Sequence, residues 1–309
     1  MEFSVFLEPQ NGATFGEQLA AAQTAEEVGF DGFFRSDHFL TMDDRDGGRP
    51  GPTDSWVTLG AIAAQTSRLR LGTLMSSATF RHPSLLAIQV AQVDEMSGGR
   101  VELGLGTGWF EAEHAAYGFP FPAKRFAPFQ EQLDVITGLW STPPGDTFSY
   151  AGEHYRLVDS PALPKPVQAR IPIIVGGRGA TKTPRIAARY ADEFNAFIAS
   201  EEVMRERIDR VRAAAEAIGR DPSTIRFSIA AATIVGTNGG ELERRATAAG
   251  TTLERSRDMG IAGSPQEVID TIGRLAELGI ARCYLQLLDP RDLDHIRLIG
   301  EQVLPRLAR

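Results

Sequence analysis

The feature that most restricts the fold is an alternation carried through most of the chain, in which short apolar runs are each followed by a segment of helical periodicity. Phe3 to Leu7 reads as a first strand. Thr14 with Glu17 three residues on is a capping box, each side chain satisfying an orphan backbone N–H, and Leu19, Ala22, Ala25 and Val28 recur at helical spacing until Gly29. Gly32 to Arg35 is a second strand, followed by a helix near Asp54 to Gln65. Arg70 to Met75 is a third, and Pro83 opens a helix carrying Leu86, Val90 and Val93 before the strand Val101 to Leu105. Strands at Ile173 to Val175, Glu193 to Phe197, Ile225 to Val235 and Cys283 to Leu287 complete eight. The helices between them start at Thr183-Pro184, near Glu202, and at a second capping box, Ser264-Pro265-Gln266-Glu267. Eight strands alternating with helices predict an α/β fold of the (β/α)8 TIM barrel type.

From Phe110 to Ile171 the alternation breaks, with Phe119-Pro120-Phe121-Pro122, Pro143-Pro144-Gly145 and a hairpin across Thr147 to Leu157 turning at Ala151-Gly152. This predicts one domain over residues 1–309, with an insertion at about 110–171 adding segments at the C-terminal mouth. A doubly wound sheet is the competing fold. Its dinucleotide form places G-x-G-x-x-G directly after the first strand, whereas Glu8-Pro9-Gln10 stands there and the glycine-rich ends follow the fourth and fifth strands.

No charged-then-apolar leader and no apolar span near 20 residues is present, which predicts a cytoplasmic protein with no membrane partner. The single cysteine, Cys283, lies in an apolar run and excludes a disulfide framework or a thiolate metal site. A net charge of -8 argues against nucleic acid as a partner. That charge is uneven. Between Ser160 and Ala191 stand Lys165, Arg170, Arg178, Lys182, Arg185 and Arg189 with no Asp or Glu, around Gly176-Gly177-Arg178-Gly179. The segment is either a solvated helix face or an anion site, and a glycine loop between strand and helix favours the second.

In a barrel all βα loops open on one face, so chemistry is sought at the strand ends. After the second strand, Arg35-Ser36-Asp37-His38 is where an imidazole and a carboxylate occur together. His38 is a candidate acid or base and Asp37 its orienting group or a ligand contact, against the reading of a structural core histidine. Ser97 to Trp109 is a turn, a buried strand and then Gly106-Thr107-Gly108, which either admit a flat ligand to the backbone or merely turn the chain. Glu8 and Arg35 join Trp109 as candidate substrate-pocket residues. Glu111, Glu113 and His114 lack a second imidazole at metal-ligand spacing, so no metal site is expected.

Four stretches, F-D-G-F-F-R-S-D-H-F, L-G-T-L-M-S-S-A-T-F-R-H-P, S-G-G-R-V-E-L-G-L-G-T-G and P-I-I-V-G-G-R-G, resemble in content and order the bacterial luciferase-like superfamily. The resemblance covers Met1 to about Tyr190 and A-G-S-P-Q-E-V from Ala262. It is greatest to the branch that uses the deazaflavin coenzyme F420, with the branch using FMN for oxygen insertion as the alternative. It implies an oxidoreductase, a homodimer, acting on a small-molecule substrate, with hydride moving to or from deazaflavin C5. A flavin-binding protein without turnover needs only the pocket and is a third reading.

By matching motif, Asp37 and His38 resemble the pair beside the cofactor ring, His38 being the acid or base. Thr73, Leu74 and Met75 resemble a strand-three bulge whose cis peptide, here Leu74–Met75, backs that ring. Thr107 and Gly108 resemble backbone and hydroxyl contacts, and Gly176, Gly177 and Arg178 the phosphate end. One departure matters: sugar-phosphate dehydrogenases of the family carry a Glu proton donor where Trp109 stands. Indole is not an acid, so the resemblance implies an apolar or aromatic substrate.

Overall fold

The computed structural model describes residues 1–42 and 49–307. In chain order its elements begin β1 (Glu2–Leu7), α1 (Phe15–Glu27), β2 (Gly32–Arg35), α2 (Ser55–Ala63), β3 (Arg70–Thr73), β4 (Ser76–Ser77), α3 (Pro83–Ser97) and β5 (Val101–Gly106). There follow α4 (Glu111–Tyr117), α5 (Phe126–Ser141), β6 (Phe148–Ala151), β7 (Arg156–Ser160), β8 (Ile173–Gly176), α6 (Lys182–Tyr190), β9 (Glu193–Asn195) and α7 (Glu201–Glu216). The chain ends with β10 (Arg226–Val235), α8 (Gly239–Ala248), α9 (Leu253–Met259), β11 (Ile261–Gly263), α10 (Pro265–Glu277), β12 (Arg282–Gln286) and α11 (Leu293–Gln302).

Strands β1, β2, β3, β5, β8, β9, β10 and β12 pair edge to edge, all parallel, and β12 returns to β1. This is the (β/α)8 TIM barrel. The period-2 alternation of each strand divides the apolar residues into two shells. Phe6, Phe34, Leu74, Ile174 and Tyr284 cluster inside the barrel, whereas Val5, Phe33, Leu71 and Leu285 pack outward under the helices. The interior is tight at Gly104, where a Cβ would stand 2.0 Å from the Thr73 carbonyl oxygen.

Both capping boxes form: Glu17 N–H donates to Thr14 Oγ1 at 3.2 Å and Thr14 N–H to Glu17 Oε2 at 2.7 Å, with Ser264 and Glu267 paired alike. The third strand ends earlier than its apolar run suggests. Leu74–Met75 is a cis peptide, and between the pairs Gly72–Glu102 and Ser76–Leu105 three residues face two, so the run is a bulge followed by β4. The insertion also distributes differently. Its hairpin, β6 with β7, lies along α5, where Glu131 accepts the N–H groups of Glu153, His154 and Tyr155, while α4 is the part that reaches the mouth. Helices α8 and α9, with β11, fill the segment after β10 that the alternation leaves unread.

At the N-terminal end the barrel is plugged by charge. Buried Arg282 lies 2.6 Å from Glu102 and 3.1 Å from Glu193, and Tyr284 donates to Glu193 at 2.6 Å. A broad cleft opens there, lined also by Glu2, Arg70, Asp192 and Arg226, but these acids and bases pair with one another or with their neighbours. Mutual charge pairing at the bottom of a barrel serves the fold, so the chemistry is sought at the other end. Among the described residues no helix is long and apolar enough to cross a membrane.

Candidate active site at the C-terminal mouth of the barrel

The loop leaving β2 sends its four polar side chains in different directions. Arg35 points out of the barrel, not into the mouth. It is fully buried, donating to Gln18 Oε1 at 3.1 Å, to Thr53 Oγ1 and O at 2.8 Å each, and to the Ser36 carbonyl at 3.0 Å. Its guanidinium is used up in tying α1 and the α2 entry to the barrel, which removes it from the substrate pocket expected of it.

Asp37 is equally buried and is held by Arg81, whose Nη2 lies 3.2 Å from Oδ1 and whose Nη1 bonds Oδ2. Burial alone would raise its carboxyl, but the charge and hydrogen bonds of Arg81 outweigh that and hold it below the usual carboxylate range. Asp37 is therefore committed to Arg81, and the carboxylate that meets His38 is a different one. His38 Nδ1 is 2.9 Å from Oε1 of Glu113, on α4, and the other oxygen of Glu113 accepts the Phe39 N–H at 2.7 Å. Nε2 of His38 has no hydrogen-bond partner among the described residues.

Beside His38 stand two aromatic rings. The Trp109 ring meets it edge-on at 5.8 Å and Phe110 at 6.2 Å, while Trp109 and Phe110 stack at 5.3 Å. Trp109 is 63% exposed, an unusual state for so large an apolar ring and one suited to contact with a ligand.

Leu74 and Met75, either side of the cis bond, lie over the barrel interior against Phe6, Phe34 and Ile174. Met75 also reaches the strand ends opposite, where a Cβ on Gly176 would stand 2.4 Å from its Cε. Thr73 is fully buried beneath them, donating to the Gly104 carbonyl at 2.9 Å and accepting from Ser76 at 3.2 Å. Its hydroxyl is occupied by the bulge itself. Thr107 is half-buried after β5, and Gly108 has φ of 76°, where a Cβ would be 2.3 Å from Ser77 Oγ. Ser77 bonds Thr79 at 2.6 Å and Thr79 bonds His114 Nε2 at 2.6 Å. His114 Nδ1 meets the Phe110 carbonyl at 2.7 Å, and because a carbonyl only accepts, that nitrogen carries the hydrogen. Glu8, at the end of β1, accepts from Asn11 at 3.4 Å.

Three strands further round from β2, Gly176, Gly177 and Arg178 leave β8 and lead to α6, whose N-terminus has no side-chain cap. The basic segment seen in sequence divides here. Lys165 donates to the Leu139 carbonyl, Arg170 pairs with Asp192 and Arg189 with Asp134, all away from this loop. Arg178, Lys182 and Arg185 have no ion pair among the described residues. The Arg178 guanidinium lies over Phe197 at 5.6 Å, and Lys182 is 5.3 Å from the centre of Phe126. Phe197 has φ of 56°, rare for a bulky side chain, and its carbonyl and that of Ala196 accept from Arg207 at 3.4 and 2.7 Å. No group of three or more His, Cys, Asp or Glu with metal-binding geometry occurs among the described residues.

The structure thus brings together His38, Trp109 and Phe110, and separately Leu74, Met75 and Gly176, while Arg35 and Thr73 turn away. Sequence reasoning missed Arg81 and Phe197, and it weighed Glu113 as a metal ligand. Nothing in the spacing of Asp37 and Arg81 couples them, since they lie on different βα loops. The one available signal for Glu113 was a carboxylate on the short helix that follows a strand end.

Comparison with known proteins gives the same architecture. Residues 1–252 match the family model described as luciferase-like monooxygenase. The F420-dependent glucose-6-phosphate dehydrogenase of Microbacterium testaceum is 36% identical over 182 residues, which is 58% of this chain and 51% of that protein. The chain spans between about half and two-thirds of the length of the curated relatives it matches. Among solved structures, monooxygenase RslO1 from Streptomyces bottropensis superposes with a TM-score of 0.83 at 24% identity, covering 100% of both chains. The coenzyme F420 dependent tetrahydromethanopterin reductase from Methanopyrus kandleri does so with 0.83 at 19%, covering 99% of both. At these identities the structural likeness bears on the fold.

Proposed function

The chain belongs to the luciferase-like monooxygenase family and is an enzyme, and on that premise we propose that it is an oxidoreductase dependent on coenzyme F420, acting on a small apolar or aromatic substrate. The observation that carries the choice of cofactor is the set Arg178, Lys182 and Arg185 around Gly176 to Gly179, cations without carboxylate partners among the described residues. A phosphate followed by an acidic tail is the ligand that such a loop complements. The mouth floor also suits a flat ring: Leu74 and Met75 supply an apolar surface, and Gly106 and Gly176 lack the Cβ atoms that would stand on it.

Bound deazaflavin supplies a hydride donor or acceptor at C5. The chain's own residues supply the rest. His38 Nε2 gives or takes the proton at the substrate atom while Glu113 occupies Nδ1. Trp109 and Phe110 wall the substrate side, orienting an apolar molecule and excluding water, and Trp109 offers no acidic proton. Thr107, Gly108 and Gly177 complete the cofactor cradle, Asp37 supporting it from beneath through Arg81, and Glu8 borders the substrate side.

The 36%-identical relative is an F420-dependent dehydrogenase, which supports the deazaflavin over FMN. FMN in a monooxygenase is the second reading, favoured by the description of the matching family as luciferase-like monooxygenase and by a glycine loop that suits any phosphate. Titrating the purified protein separately with F420 and FMN, by fluorescence quenching, decides between them. Tight FMN binding with oxygen consumption, and no F420 binding, would sink the deazaflavin reading.

The protein acts in the cytoplasm as a homodimer. Support for the dimer comes from the outer face of α2 and α3, where Val57, Leu85, Ile88 and Met96 are exposed, α2 carries no charged residue and α3 none before Asp94. Sedimentation equilibrium reads the state directly, and a monomer at micromolar concentration would overturn it.

A further inference from the structure

We propose that Glu113 is a positioning residue that fixes the tautomer of His38, so that Nδ1 carries the hydrogen and Nε2 is kept as the acceptor facing the mouth; this rests on the reading of His38 as the acid or base. The argument is one of donor counting. Glu113 is 1% exposed, and its two oxygens meet two nitrogens, His38 Nδ1 at 2.9 Å and the Phe39 backbone N–H at 2.7 Å. A carboxylate only accepts. The Phe39 amide can only donate, and so the imidazole, which alone has a choice, must place its hydrogen on Nδ1.

The helix that carries Glu113 is itself pinned by the next residue. His114 donates from Nδ1 to the Phe110 carbonyl and accepts at Nε2 from Thr79, so α4 is tied to the loops after β4 and β5 while Glu113 ties it to the loop after β2. The pair Glu113-His114 therefore sets the position of His38 relative to Trp109 and Phe110, which lie at the entrance of the same helix. Motion of α4 would move the imidazole and the aromatic wall together.

Replacing the carboxylate with its amide inverts the count. In Glu113→Gln one oxygen remains, the Phe39 N–H claims it because that donor has no alternative, and the amide NH2 is left facing Nδ1. Nδ1 must then accept, which moves the hydrogen to Nε2 and leaves no lone pair at the mouth. The chain thus contains a substitution of nearly equal size that reverses one proton position.

The test is long-range 1H–15N correlation spectroscopy of the imidazoles in uniformly labelled protein at pH 8, with His38 assigned by His38→Asn. Wild type is expected to show His38 as the Nδ1–H tautomer, E113Q as the Nε2–H tautomer, and His114 unchanged in both as an internal measure of folding. Turnover with F420 is expected to fall on the order of 10²- to 10⁴-fold in E113Q, the scale of a wrong-tautomer general base. An Nε2–H tautomer in wild type, or no change in E113Q with His114 intact, would overturn the assignment of Glu113. A reversed tautomer with full turnover would instead overturn the acid–base reading of His38 on which the functional part rests. Should E113Q fail to fold, E113D is the second variant. It keeps two acceptors, and the Nδ1–H form is expected to persist; its loss overturns the proposal.

Discussion

Arg81 grips both carboxylate oxygens of Asp37, and the same guanidinium reaches Asp54 at 2.6 Å, so that one cation joins the loop after β2 to the entry of α2 from the loop before α3. Asp37 is 1% exposed and Arg81 8%. Removing one partner of such a pair leaves a buried charge, which costs about 3 to 5 kcal/mol. Because Arg81 keeps Asp54 as a partner, Asp37→Asn is expected to lower stability toward the lower end of that range, read from urea unfolding at pH 7. The pH dependence follows in sign: a carboxyl lowered on folding contributes fully above its unfolded value and loses that contribution as the pH falls through the folded one. The difference between wild type and Asp37→Asn should therefore shrink on acidification below about pH 4, and a difference that grew instead would contradict the assignment.

A second titration belongs to His295. It is 5% exposed, its Nε2 accepts the Val235 N–H at 2.9 Å, and burial, reinforced by nearby Arg245, pushes its pKa down to about 3. The unfolded chain binds this proton near pH 6.5 and the folded chain does not. Stability is then unaffected above pH 6.5 and falls as the pH drops from 6.5 toward 3, by about 1.4 kcal/mol per unit at its steepest. His295→Gln keeps an acceptor for Val235 and carries no titrating group. Its stability should lose that slope between pH 6 and 4 in denaturation series, and identical slopes for the two proteins would refute the account.

The barrel was legible because strand and helix periods repeat eight times, and each capping box marks its helix by two residues three apart. Boundaries failed where tertiary structure overrode them. The run from Arg70 to Met75 carries no residue that marks an end to the strand, yet the cis bond at Leu74–Met75 breaks it, a feature implied by resemblance and by nothing in the periodicity. Site residues were legible at strand ends as a set, but not in their pairings. Arg35 and His38 stand on one short loop and differ in direction, one bonded to Gln18 on α1 and one to Glu113 on α4. Those partners lie 17 and 75 residues away in sequence, and no local pattern records such a choice.

The glycine loop after β8 carries the third expectation. Arg178 is exposed, lies over Phe197 and has no carboxylate partner among the described residues, so its charge is available to an anion. Contacts of exposed charges weaken as the Debye length shortens from about 10 Å at 0.1 M salt to about 3 Å at 1 M. F420 affinity should fall with salt in wild type and fall less steeply in Arg178→Ala, whose affinity at low salt should already be several-fold weaker. Equal affinities and equal salt slopes would remove Arg178 from the site.

The last expectation concerns His38 itself. Its imidazole is 14% exposed, bonded through Nδ1 to a buried carboxylate and flanked by Trp109 and Phe110, with Nε2 unoccupied among the described residues. Reducing a carbonyl, imine or activated alkene with a hydride leaves a negative substrate atom that needs a proton, and the reverse reaction needs a base. The other mouth histidine, His114, has both ring nitrogens engaged, by Phe110 and Thr79, and cannot serve without breaking them. His38→Ala is thus expected to reduce turnover about 10²- to 10⁴-fold with F420 affinity changed only several-fold. A purely structural histidine predicts the opposite pattern. Its removal would strip Glu113 of one buried partner, loosen α4 and weaken cofactor binding together with the fold, leaving the rate per bound cofactor unchanged. Measuring single-turnover rates at saturating F420 separates the two, because only the loss of a proton carrier slows the bound complex.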